Sequence, residues 1–138
     1  MNKYILNGKN IKDLDSLYAE FARAVKAPKG YFGKCMQSFD DCLFGGFGLE
    51  APCEIIWEHS ENSKELLDSD KLIEYCEDIA SFNPYIYEPS HEQAAKWLEE
   101  TLSSAKEKHK CLFDEIVETI ESVPSRASWN HEIKLLLQ

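Results

Sequence analysis

"CEIIWE", residues Cys53–Glu58, is the stretch of sequence that decides the fold. It follows Pro52, and it is short, β-branched, aromatic and almost continuously apolar. Such a run predicts a strand in a sheet that helices cover, because a strand with one face in water alternates apolar and polar residues.

Two more strands are predicted, one before this run in the sequence and one after it. Tyr4–Leu6 ends at the turn dipeptide Asn7-Gly8, and Ile133–Leu137 is a second apolar run. Apolar spacing predicts two helices between the first and second strands, one from Ile11 to Val25 and one over about Met36–Phe44. Between the second and third strands it predicts a short helix capped by Ser60, and then helices over 70–82, from Ser90 to about His109, and over 112–122. A loop is predicted over 124–130. Strands separated by helices predict an α/β fold, a small three-stranded parallel sheet packed by helices. Because both outer strands must join that sheet, we expect a single domain over residues 1–138.

The net charge of −10 arises from 25 acidic and 15 basic residues. Such a field repels nucleic acid and anionic membranes and attracts basic proteins, although a solvated acidic surface without a partner explains the charge about equally well. The five cysteines form no CxxC pair, and the four histidines have no zinc-ligand spacing. Together with the absence of an apolar signal-like start, this predicts a cytoplasmic protein with no disulfide, metal or cofactor.

Catalytic patterns are weak. "FGGFG", residues 44–48, follows a predicted helix, whereas a nucleotide-binding glycine loop follows a strand. His59 comes directly after the strand at 53–58 and could act as an acid or base, but no nucleophile or second polar partner is evident. The sequence therefore does not predict an enzyme.

Adjacent aspartates lie on the short helix of the stretch "GYFGKCMQSFDDCLFGG", residues 30–46. Helical spacing directs Met36, Phe39 and Leu43, with Cys42 beside them, toward the core. Gln37, Asp41 and Phe44 then form a surface row, which Tyr31 and the Gly45-Gly46 pair border. Asp40 and Asp41 lie too far along the helix for its N-terminal dipole to explain them well. This pattern predicts a protein-binding surface for a basic partner.

The stretch "YILNGKNIKDLDSLYAEFARAVKAPKGYFGKCMQSFDDCLFGG…EIIWEHSENSKELL" resembles the barstar family, which inhibits secreted guanyl-type ribonucleases. The features that carry the resemblance include "LNG", "YFG", "DCLFG", and Trp57 followed by Ser63-Lys64. They match in order from Tyr4 to about Leu67, and residues 112–137 match more loosely. Residues 68–110 have no counterpart and form a predicted helical insertion.

The resemblance implies that the second helix and the loop before it plug a ribonuclease active site, with Asp41 in place of an RNA phosphate. Tyr31 and Gly33 match loop contacts, Gly45 matches the glycine after the helix, and Gln37 replaces a family aspartate. Asp40 and Gly46 replace aromatic residues, and Phe44 replaces a small polar residue. The predicted partner-binding residues are Tyr31, Gly33, Gln37, Asp40, Asp41, Phe44 and Gly45.

The resemblance further implies a bacterial immunity protein or antitoxin, monomeric when free, that forms a one-to-one complex with a basic ribonuclease toxin. The alternative is a barstar-like regulatory or scaffold module that binds a different basic protein. The insertion either supplies helices that cover the sheet or core, or presents a second contact patch on Tyr85, Tyr87 and Trp97. Which acidic residue of the last helix joins the interface, Glu115, Glu118 or Glu121, stays open.

Overall fold

The structure, a computed structural model, describes residues 1–83 and 85–138. The strands are β1 (Asn2–Asn7), β2 (Cys53–Glu58) and β3 (Ile133–Leu137). The α-helices are α1 (Leu14–Val25), α2 (Met36–Cys42), α3 (Ser60–Leu66), α4 (Ser69–Phe82), α5 (Glu92–Lys106) and α6 (Leu112–Arg126). Short 3-10 turns cover residues 8–10, 28–30 and 89–91. Pro84, in the predicted break between the two inserted helices, lies outside the described residues.

The three strands form one parallel sheet in the order β1-β2-β3, which confirms the predicted α/β fold. Leu6 pairs in register with Trp57, and Trp57 with Leu137. Along β2, Cys53, Ile55 and Trp57 are fully buried and their neighbours are not. This alternation shows that helices cover one face of the sheet completely and leave the other partly open, whereas the apolar run predicted cover on both faces.

The chain divides into two compact units. Residues 1–66 and 116–138 form the first, which contains the sheet, α1, α2, α3 and most of α6. Residues 67–115 form the second, in which α4 packs against α5. The single-domain organisation predicted for residues 1–138 stays a prediction.

Three helix ends differ from the predictions. Ser60 lies inside α3, where its hydroxyl donates to the Gln138 carbonyl at 2.9 Å. Ser90 lies in a 3-10 turn before α5. The predicted loop over 124–130 is wrong at its start, because α6 continues through Pro124 to Arg126. A proline inside a helix removes one backbone donor, yet Ala127 N–H still bonds the Val123 carbonyl at 3.1 Å and keeps the last turn closed.

No helix among residues 1–83 and 85–138 is long and apolar enough to span a bilayer.

Candidate functional site

The loop before α2 lies against the helix because of Gly33. This residue has φ +96°, and a Cβ there would come within 2.7 Å of the Phe39 backbone. Only glycine combines that conformation with that close approach. Gly33, predicted as a contact residue, therefore also has a backbone role in placing the loop.

The start of α2 is closed by a serine-cysteine pair. Ser38 Oγ accepts from the backbone N–H of Cys35 at 3.1 Å and lies 3.3 Å from Cys35 Sγ. The hydrogen bond to the Ser38 side chain, with further backbone bonds, lowers the pKa of the exposed Cys35 thiol. The arrangement fixes the first turn of a helix that has only 7 residues.

The core-facing side of α2 is the one that the helical spacing predicts. Met36, Phe39, Cys42 and Leu43 are all buried. The Phe39 ring lies 4.9 Å from Phe21, edge-on. Cys42 is 1% exposed, and its burial, with a smaller contribution from Asp41, raises the pKa of its thiol, as expected for a cysteine that packs in the core.

The opposite side of α2 carries the predicted surface row. Gln37 and Asp41 are exposed, and Phe44 is half-buried just beyond the helix. Within the described residues, Asp41 makes no side-chain hydrogen bond or ion pair. It therefore presents a solvated carboxylate at the centre of this face.

Asp40 is in a different state from its neighbour. Arg126, at the end of α6, donates to both Asp40 oxygens, from Nη1 at 2.8 Å and from Nη2 at 2.6 Å. These bonds raise the pKa of the Arg126 guanidinium further above its ordinary value. Asp40 is half-buried, and its charge is largely neutralised within the molecule.

Phe44 is surrounded by residues from the end of α6 and the segment before β3. The Arg126 guanidinium carbon lies 5.3 Å from the centre of the Phe44 ring. The His131 ring stacks on Phe44 and the Trp129 ring meets it edge-on, both at 6.1 Å. We call Phe44, Trp129 and His131 the aromatic cluster. Sequence reasoning found only Phe44, because no periodicity links a residue after α2 to a loop some 85 positions away.

The glycine-rich segment after α2 turns sharply back toward the sheet. Gly45 and Gly46 have φ of +107° and +90°, a region that favours glycine. Gly46 has open space where a side chain would lie. The rings of Tyr31, before α2, and Phe47, after it, contact each other with 5.8 Å between their centres, and each residue is 38% exposed. The predicted residues Tyr31, Gly33, Gln37, Asp40, Asp41, Phe44 and Gly45 thus belong to α2 or its two flanking segments.

The remaining candidates lie outside α2 and the segments that flank it in the sequence. His59 is exposed in a left-handed turn after β2. Of the three glutamates of α6, Glu115 is buried, and its Oε2 lies 2.8 Å from Lys110 Nζ. Glu118 and Glu121 are exposed. Tyr85 and Tyr87 of the second unit are exposed, and Trp97 is half-buried. The described residues contain no group of three or more His, Cys, Asp or Glu side chains that could hold a metal ion.

A model of the barstar family, described as barnase inhibitor, matches residues 1–132 of this chain. The match covers nearly the whole sequence, and the parallel three-stranded sheet packed by helices is consistent with it. The chain belongs to the barstar family.

Proposed function

We propose that this protein inhibits a barnase-type ribonuclease by inserting α2 and the segments that flank it into the enzyme's basic active-site cleft. Membership of a family described as barnase inhibitor supports the class of partner. The net charge of −10 supports association with a basic protein. In this proposal the protein is a cytoplasmic, bacterial immunity protein that is monomeric when free and binds its toxin one-to-one.

The observation that carries the proposal is the contrast between the two adjacent aspartates. Asp40 is held by Arg126, whereas Asp41 is exposed without an internal ion pair in the described part of the chain. A cleft that binds RNA phosphates presents cationic side chains and N–H donors, and a carboxylate satisfies the same groups. Asp41 is therefore the phosphate mimic, and Asp40 is a structural residue beside it.

The neighbours of Asp41 fit a tight interface around one carboxylate. Gln37 lies one helical turn before Asp41 on α2. Its neutral amide can donate and accept hydrogen bonds without adding a second negative charge beside Asp41. Gly45 and Gly46 allow the partner's surface to approach the backbone closely. Tyr31 and Phe44 supply aromatic area on either side.

The experiment is a calorimetric titration with two probes, barnase and any ribonuclease domain encoded beside this chain, with RNA cleavage measured in parallel. We expect Asp41→Asn to weaken binding by about 2–5 kcal/mol, a general range that itself draws on the barnase–barstar complex. This corresponds to about 30-fold or more in Kd, with matching loss of inhibition.

The matched control is Glu61→Gln, an exposed carboxylate on α3, which should change Kd less than about fivefold. Equal, small effects of both substitutions would remove Asp41 from the centre of the interface. Binding of a basic non-nuclease protein, with neither ribonuclease bound or inhibited, would favour the regulatory or scaffold module instead.

A further inference from the structure

Trp129 is a large aromatic side chain that lies beside the proposed interface and is 53% exposed. Its one polar group is already used, because indole Nε1 donates to His131 Nδ1 at 3.1 Å. Trp129 thus offers a partner the apolar face of a ring and no free donor.

The position of the Trp129 ring is fixed by its hydrogen bond to His131, which is itself buried at 7% exposure. His131 Nε2 lies 2.9 Å from the Leu43 carbonyl oxygen at the end of α2. A neutral imidazole with its proton on Nε2 satisfies both nitrogens, donating to Leu43 and accepting from Trp129. A side chain that is held before binding loses little conformational entropy when a partner covers it.

The charges near the ring permit a cationic partner. Arg126 would repel one, but its two hydrogen bonds to Asp40 neutralise it. Asp41 lies three residues before Phe44, whose ring meets Trp129 edge-on. The aromatic cluster therefore lies beside a neutral ion pair, and the solvated carboxylates nearest to it in the sequence are Asp41 and Glu132.

We infer that Trp129 is a second anchor of the ribonuclease interface, and that its indole face accepts an arginine or lysine side chain from the rim of the enzyme's cleft. The inference rests on the proposed function. A surface that binds RNA carries such side chains around its catalytic centre. Among aromatic side chains, Trp gives the strongest cation–π interaction. Asp41 then engages the centre of the cleft, and Trp129 engages its rim.

The test compares Trp129→Phe with Trp129→Leu in the same titrations with barnase and the neighbouring ribonuclease domain. Both substitutions delete the hydrogen bond to His131 and both are apolar, but only phenylalanine keeps an aromatic face. We expect the leucine variant to weaken binding about tenfold or more and the phenylalanine variant to stay within about threefold of the unmodified protein. Both variants lose the hydrogen bond to His131, and the leucine variant also loses the ring contacts with Phe44 and His131. Thermal unfolding of each variant, measured beside the titration, separates a loss of stability from a loss of binding.

Three results would overturn the inference. Equal weakening by both variants would show that the ring contributes apolar area and not an attraction for a cation. Unchanged binding in both variants, with Asp41→Asn still impaired, would place Trp129 outside the interface while the proposed function stands. Failure of the unmodified protein to bind either ribonuclease would remove the proposed function and this anchor with it.

Discussion

Glu20 is a buried carboxylate in α1, only 4% exposed, that ties the helix to the end of β1. Its Oε2 accepts from the Asn7 backbone N–H at 2.7 Å and from Arg23 Nη2 at 2.6 Å. Burial alone would raise the pKa of Glu20, but the bonds from Arg23, Asn7 and Asn10 outweigh it and hold the pKa below its ordinary 4.5. Helical spacing does not predict this role, because a glutamate next to Phe21 in the chain is typical of a solvated helix face.

Glu20→Gln should lower the free energy of unfolding by about 1–3 kcal/mol at neutral pH. Because the folded pKa is depressed, this stabilisation is fully present above the unfolded value of 4.5 and is lost as the pH falls through the lower folded value. Urea unfolding at pH 7, 5 and 3.5 measures it. The difference between the two proteins should be equal at pH 7 and 5 and smaller at pH 3.5. A difference that grows on acidification would contradict the assignment.

The site residues divide into those that sequence reasoning could reach and those that it could not. Met36, Phe39 and Leu43 follow from helical spacing, which confirms the core side of α2. The pairing of Asp40 with Arg126 joins residues 86 positions apart, and helical spacing within α2 contains no information about it. Whether the seven predicted partner-binding residues contact a ribonuclease stays a prediction.

At the scale of elements, β2, α3 and the 3-10 turn that follows β1 meet at one buried serine. Trp57 Nε1 donates to Ser63 Oγ at 2.9 Å, and that hydroxyl donates to the Gly8 carbonyl at 2.8 Å. Trp57 and Ser63 are both fully buried. These residues were among those that carried the family resemblance, and their hydrogen bonds give a physical reason for finding them together.

Ser63→Ala should lower the free energy of unfolding by about 1–3 kcal/mol, because two hydrogen bonds are lost at a fully buried position. Ser103→Ala on the exposed side of α5 is the matched control and should change stability by less than about 0.5 kcal/mol. Equilibrium urea denaturation of the three proteins gives both values. If Ser63→Ala is as mild as the control, the serine fills space without joining the three elements.

All three strands and their parallel pairing in one sheet were predictable, because the strands are apolar runs and the connections between them are helical. Helix ends were less so. α6 continues past Pro124 to Arg126, which hydrogen-bonds Asp40, and Val123 just before the proline is fully buried. Tertiary packing thus overrides the local preference of proline.

At the scale of the whole molecule, charge is distributed unevenly between the two units. Residues 67–115 contain 12 of the 25 acidic residues and 5 of the 15 basic ones. Their net charge is therefore −7, out of −10 for the chain. Such a concentration acts over roughly 10 Å at moderate ionic strength and attracts a basic protein before any contact forms.

Neutralising four exposed carboxylates of the second unit should slow association with the ribonuclease about threefold or more at low salt. The substitutions are Glu77→Gln, Asp78→Asn, Glu99→Gln and Glu100→Gln. The dissociation rate should stay unchanged, because steering acts before contact. Stopped-flow measurements at about 20 mM and 500 mM salt give the association and dissociation rates separately, and the slower association should disappear at the higher salt concentration. A faster dissociation in this variant would indicate that residues 67–115 contact the ribonuclease directly.

Parallel strands need a long connection between them, and this determines the free-energy cost of a longer chain segment in that position. Residues 59–132 connect β2 to β3, and residues 67–115 of that connection are a compact unit with its own helices. The connection is about three times as long as it would be without them. Because the entropy of closing a loop grows only with the logarithm of its length, this extension costs about 1 kcal/mol. A crossover between parallel strands is thus a position where this fold can hold a second folded segment at a small entropic cost.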